Sequence, residues 1–130
     1  MSADLVTALR QRLAMHPEVE LALLFGSTAR GTALPSSDVD VAVLAPPETL
    51  PALQAALVLA LGREVDVLHL EHATIPVLER IVTEGVVLRE GRPGASASWR
   101  SRALATLETD LPGYLRMRDA WLRRVAERGI

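Results

Sequence analysis

Apolar and polar positions follow one another along this chain with two distinct periods. Residues 3–15 carry Leu5, Val6, Leu9 and Leu13 at spacings of three and four, the stripe of an amphipathic helix with Ser2 as N-cap and His16-Pro17 as its stop. Residues 19–25 form an apolar run, and residues 38–44 and 64–70 alternate carboxylates with valines, the period of two that marks strands. Between the second and third strands, Pro46-Pro47 opens a helix through Leu50, Leu53, Leu57 and Leu61 to a C-cap at Gly62. Residues 75–84 read as a further helix stopped by Gly85, residues 86–89 as a short strand, and residues 90–98 as a Gly/Pro/Ser-rich connection. The remainder, residues 99–130, is helical in pattern and is expected to break at Leu111-Pro112-Gly113.

Helices and strands that alternate in this way predict an α/β (α+β) domain: a small mixed sheet flanked by helices, followed by a C-terminal helical segment. A chain of 130 residues makes one domain, with the alternating elements in residues 1–92 and a linker and helical extension of the same domain in residues 93–130. The pattern predicts helices over one face of the sheet. The other face, which carries the aspartates, is expected to stay open.

Composition removes several chemistries. Without cysteine there is no thiol nucleophile, thiolate metal site or disulfide, and without lysine there is neither Schiff-base chemistry nor a Walker-type phosphate loop. A net charge of −2 and a pI near 5.9 oppose general nucleic-acid binding. No apolar run is long enough to span a membrane and the N-terminus does not read as a signal peptide, so a cytoplasmic protein is expected.

The chemistry concentrates in one stretch. Leu23-Leu24-Phe25-Gly26-Ser27 delivers an apolar run into a Gly-Ser turn, and ten residues later comes Asp38-Val39-Asp40-Val41. Side chains two apart on a strand share a face, so Asp38 and Asp40 stand side by side and repel one another unless a cation lies between them. Magnesium fits, because it is held by one or two carboxylates together with substrate phosphates. Gly26 allows close backbone approach and Ser27 offers a hydroxyl and an N–H at the start of a short helix, a cradle for the phosphates of a nucleoside triphosphate. Either motif alone describes an ordinary solvated strand or a plain turn; the pair at this spacing describes a site.

These residues resemble the polymerase-β-like nucleotidyltransferase superfamily, whose pattern is Gly-Ser, ten residues, then Asp-x-Asp. The wording Phe25-Gly26-Ser27-Thr28-Ala29-Arg30-Gly31 followed by Ser37-Asp38-Val39-Asp40 is similar to its minimal nucleotidyltransferase (MNT) branch, which includes the antitoxins paired with HEPN-domain toxins. The likeness is specific over about residues 21–44 and extends by layout to about residue 90. It implies a third carboxylate on a later strand, matched here by Asp66, with Glu64 as the fallback on the same face. It also implies two Mg²⁺ ions held by Asp38, Asp40 and Asp66, with Gly26, Ser27 and Arg30 on the nucleotide. The implied activity is transfer of AMP from ATP to a hydroxyl, that of a tyrosine on a HEPN-type toxin, with Asp66 drawing off the proton.

Other residues read more plainly. Arg30 suits either a phosphate or a surface salt bridge. Ser36 and Ser37 make the turn after Pro35. His69 falls on the strand face opposite Asp66 and reads as a packed imidazole, while His16 and His72 sit at element ends. Arg63 and His69 match a loose nuclease spacing only by chance, since they lie on a strand. Two other function classes stay open: an antibiotic-type enzyme acting on a small molecule, whose acceptor cleft would call for a homodimer, and a non-catalytic antitoxin that works by occlusion. In the C-terminal segment Tyr114, Leu115, Met117, Trp121, Leu122 and Val125 recur at helical spacing beside Arg116, Arg118, Arg123 and Arg124, either packing on the domain or docking a partner.

Overall fold

The computed structural model describes residues 2–32 and 38–128. Its elements run in the order α1 (Ser2–Leu13), β1 (Leu21–Phe25), α2 (Ser27–Arg30), β2 (Val39–Leu44), α3 (Leu50–Leu61), β3 (Val65–His69), α4 (Ile75–Glu84), β4 (Val86–Glu90) and α5 (Ala95–Glu127). The four strands form one mixed sheet in the order β3-β2-β1-β4. β1 is antiparallel to both β2 and β4, whereas β2 and β3 are parallel. A parallel pair needs a crossover, and α3 supplies it, entered through a short 3-10 turn over Pro47–Thr49 and closed by Gly62 in the left-handed region.

Both sheet faces are covered. On one, Leu9 and Leu13 of α1 and Leu53 and Leu57 of α3 pack on Ala22, Leu24, Val39, Val41, Val43 and Val65. On the other, Leu78, Ile81 and Val82 of α4 and Trp99, Ala103 and Leu107 of α5 pack on Leu21, Leu23, Phe25 and Ala42. The expected open face is therefore absent. Period two made the aspartate face look polar, but Ala42, Leu44 and Leu68 on that same face are apolar and are roofed by the two later helices. The carboxylates occupy only its end.

Two local expectations also change. α1 already includes Ser2, so the capping position falls on residue 1, outside the described residues, as do Pro35, Ser36 and Ser37 of the expected turn. α5 runs unbroken through Pro112 and Gly113 as a single helix of 33 residues, about 50 Å long. A proline inside a helix forfeits one backbone hydrogen bond and strains the turn before it, but the Leu and Arg-rich sequence on either side keeps the helix going. Its first half is seated by Trp99, Ala103 and Leu107, and Arg100 donates to the carbonyl oxygen of Val82 at 2.8 Å. Its second half leaves the domain, with Met117 74% and Trp121 56% exposed. Among the described residues no helix is long and apolar enough to cross a membrane.

Candidate active site

Strand register assembles the site. β1 ends at Phe25, opposite Asp40 of β2, and Asp40 in turn pairs with Asp66 of β3. The end of β1 and two carboxylates thus lie in one row across three strands. Asp38, just before β2, is exposed, as is Asp66, while Asp40 is half-buried between them. Glu64 has the parity of Asp66 but precedes β3, outside the paired row. Asp40 therefore has Asp66, not Glu64, as its neighbour.

Burial holds the Asp40 carboxyl above its ordinary pKa, and the charges of Asp66 and then Asp38 push it further in the same direction, with Arg80 on α4 opposing. The cause is physical: a carboxylate partly removed from water beside two others loses less by keeping its proton. The same crowding is relieved by a divalent cation, so the donor set fits a hard metal of the magnesium type. Among the described residues no group of three or more histidine, aspartate or glutamate side chains stands in an arrangement that could hold a metal ion.

The turn after β1 is locked to this row. Gly26 has φ 80° and ψ −160°, a conformation essentially restricted to glycine. A Cβ there would stand 2.5 Å from Oδ2 of Asp40. The sequence assigned Gly26 to close approach by a phosphate; the close approach that the structure shows is by the Asp40 carboxylate. After the turn, α2 spans one turn of helix, with the N–H groups of Ala29 and Arg30 donating to the Gly26 carbonyl oxygen, each at 3.1 Å. Thr28 is buried, and its Oγ1 has no hydrogen-bond partner among the described residues.

The last residue of α4 completes the arrangement. Glu84 Oε1 accepts from the Gly26 N–H at 3.1 Å, and Arg30 Nη1 donates to both Glu84 oxygens at 3.0 Å. Of the alternatives for Arg30, a salt bridge is thus present, with its partner on another element. Arg80 and Glu84 escaped the sequence reading because residues 75–84 read only as a helix stopped by Gly85. The available signal was Glu84 itself, an acid in the final turn, where the helix dipole favours a base.

The histidines take no part. His69 is buried, its Nε2 donating to the carbonyl oxygen of Ala45 at 2.9 Å and its Nδ1 accepting from the Glu71 N–H at 3.1 Å. Its ring lies tilted by 34° against that of His72, with centroids 4.9 Å apart, and His16 pairs with Glu18 at 3.1 Å. A cleft of about 680 Å³ between Glu20, Pro46, His69, His72, Arg92 and Arg102 lies at the opposite end of β2, and none of the three aspartates lines it.

Comparison with known proteins agrees with this geometry. The family model described as polymerase beta, nucleotidyltransferase matches residues 7–92. The protein adenylyltransferase MntA of Shewanella oneidensis is 38% identical over 74 residues, which are 53% of this chain and 52% of that protein, so the match spans about half the length of its relative. A crystal structure of a toxin–antitoxin with AMP-PNP superposes with a TM-score of 0.71 at 25% identity, covering 93% of this chain and 98% of the other. The complex of a tri-AMPylated Shewanella oneidensis HEPN toxin with an MNT antitoxin shares the fold, with a TM-score of 0.65 at 22% identity over 93% of this chain and 95% of the other. With its Gly-Ser turn and Asp-x-Asp strand inside the matched region, the chain belongs to the polymerase-β nucleotidyltransferase family.

Proposed function

We propose that this chain transfers AMP from ATP to a hydroxyl group of a partner protein, a toxin of the HEPN class, and so acts as an antitoxin. The observation that carries this reading is the row formed by Gly26, Asp40 and Asp66, in which the Gly-Ser turn abuts two carboxylates. Its partner class rests on likeness: the MntA relative is a protein adenylyltransferase, and the fold neighbours include a toxin that carries AMP.

Each residue has a task that its position supports. Asp38, Asp40 and Asp66 are the residues that would hold Mg²⁺, which would polarise the phosphate oxygens and lower the pKa of the attacking hydroxyl. Gly26 and Ser27 receive the β- and γ-phosphates, and Arg30 offers donors to the same oxygens. Asp66, exposed at the rim of the row, accepts the acceptor hydroxyl's proton on a carboxylate oxygen as the bond to the α-phosphorus forms and pyrophosphate leaves. Positioning and charge neutralisation supply most of the acceleration, as in phosphoryl transfer generally.

The test combines the purified chain, ATP, Mg²⁺ and a HEPN-type protein encoded beside it, with intact mass as the readout. The reading expects the toxin to gain one or more adenylyl groups, and expects no gain with EDTA or with the Asp40→Asn variant. An unmodified toxin that is nonetheless neutralised on binding would instead support occlusion.

A further inference from the structure

Glu84 sits where an isolated helix would not choose an acid. It is the last residue of α4, beside the unpaired carbonyl groups, where a carboxylate is unfavourable. Two contacts compensate, and both reach the Gly-Ser element rather than α4's own neighbours in sequence. One oxygen accepts from the Gly26 N–H, 58 residues away, and both oxygens accept from Arg30, 54 residues away. Gly26 begins the turn and Arg30 ends α2, so one carboxylate fastens both ends of the segment that is to meet the nucleotide.

The burial of this pair is asymmetric. The Glu84 side chain is 17% exposed and that of Arg30 44%, so the carboxylate lies beneath and the guanidinium stands outward. Arg30 meets Glu84 through Nη1 in both of its contacts. The guanidinium is planar and carries its donors in a fixed fork, so anchoring one nitrogen sets the direction of the others. An arginine fixed in this way loses little freedom when a phosphate arrives, whereas a loose one must be ordered first.

We infer that Glu84 is a positioning residue for the nucleotide: it holds Arg30 and the Gly26 turn in the geometry that receives the triphosphate, and acts on nucleotide binding rather than on transfer. This rests on the nucleotidyltransferase reading above. In the described hydrogen bonds the carboxylate touches neither Asp40 nor Asp66, and Glu84→Gln keeps an oxygen for the Gly26 N–H, so the turn beside the reacting row retains its anchor.

The test is a double-mutant cycle on the full chain, with Mg²⁺-AMP-PNP binding by calorimetry and the KM and kcat of transfer as readouts. Glu84→Gln keeps an oxygen for the Gly26 N–H but drops the charge that holds Arg30. It is expected to weaken nucleotide binding and raise the KM for ATP about tenfold, with kcat within about twofold of wild type. Arg30→Met should weaken binding at least as much. The double variant should be no worse than Arg30→Met alone, because Glu84 acts through Arg30. If Glu84→Gln does not fold, Glu84→Asp is measured on its own, outside the cycle, retaining the charge but not the reach to Gly26, with weaker nucleotide binding again expected. Unchanged or tighter binding in the Glu84 variant, or losses that multiply in the double variant, would overturn the inference. A wild-type chain that binds no Mg²⁺-AMP-PNP would overturn the nucleotidyltransferase reading itself.

Discussion

Gly26→Ala measures how firmly the Gly-Ser turn and the carboxylate row constrain each other. At φ 80° and ψ −160° an alanine is strained by about 1–3 kcal/mol before any contact is considered. The new Cβ also stands 2.5 Å from Asp40 Oδ2, so the carboxylate must retreat by about 0.9 Å to reach an ordinary 3.4 Å contact. Because the contact is with the end of a half-buried side chain, turning it off its rotamer adds only about 1 kcal/mol, giving about 2–4 kcal/mol in all. For a chain of this size the melting temperature should fall by about 10 °C. Gly62→Ala is the control: φ is 65° and nothing lies within 4 Å of the added methyl, so only the left-handed backbone cost of about 1 kcal/mol applies. Thermal denaturation of both variants separates the cost particular to the Gly26 position, its backbone conformation together with the clash, from the ordinary left-handed cost. Activity should fall further than stability, because moving a reacting group by about 1 Å costs on the order of a hundredfold. A Gly26→Ala protein that melts with Gly62→Ala and transfers at the wild-type rate would refute the coupling.

Three other outcomes follow from the same geometry. Asp40→Asn should abolish transfer yet raise the metal-free melting temperature at neutral pH. The raised pKa of Asp40 means that the folded state binds its proton more tightly than the unfolded chain, so stability from this group is present at low pH and lost as pH rises through the raised value. The mutant's advantage should therefore shrink as pH falls toward the ordinary aspartate value of about 3.9, and a gap that widens in acid would reject the assignment. Ser27→Ala removes one hydroxyl and leaves the turn's backbone intact; turnover should drop by roughly tenfold to a hundredfold with an unchanged melting temperature, and an effect as large as that of Gly26→Ala would contradict the turn's role. Ending the chain after Leu111 keeps Trp99, Ala103 and Leu107 in the core, so the protein should fold and bind Mg²⁺-AMP-PNP. Loss of partner modification alone would identify the exposed half of α5 as the docking element, and retained modification would exclude it.

What the sequence disclosed and what it hid have physical causes. Alternation in β2 and β3 revealed Asp40 and Asp66 because side-chain direction on a strand is a local property. Their adjacency is not local: it depends on β2 and β3 pairing in parallel with Asp40 against Asp66. The covered aspartate face was not legible because its apolar row, Ala42 paired with Leu68, lies further into the sheet, next to the two carboxylates that dominate the pattern at its end. The unbroken α5 was missed because Pro112 carries a strong local penalty, and local penalties can be outweighed along a long helix. Glu84 and Arg30 are 54 residues apart, and no periodicity links them.

α4 draws these pieces together. It packs Leu78, Ile81 and Val82 against β1 and α5, which fixes its height over the sheet. Arg80 and Glu84 lie one turn apart, four residues along the same helix, and therefore project from neighbouring positions on its surface. Their charges are opposite, and so are their tasks. Arg80 offsets the crowded carboxylates around Asp40, whereas Glu84 anchors the guanidinium of Arg30 and the amide of Gly26. Exchanging their signs would place a fourth acid against the aspartates and a cation against Arg30, so the order of charges along α4 is dictated by the two ends of the site that it faces. A Arg80→Glu/Glu84→Arg double variant, which preserves net charge and helix composition, should therefore lose nucleotide binding while its helical content stays at the wild-type level by circular dichroism. Retained binding would show that α4 supports the site only through its apolar face.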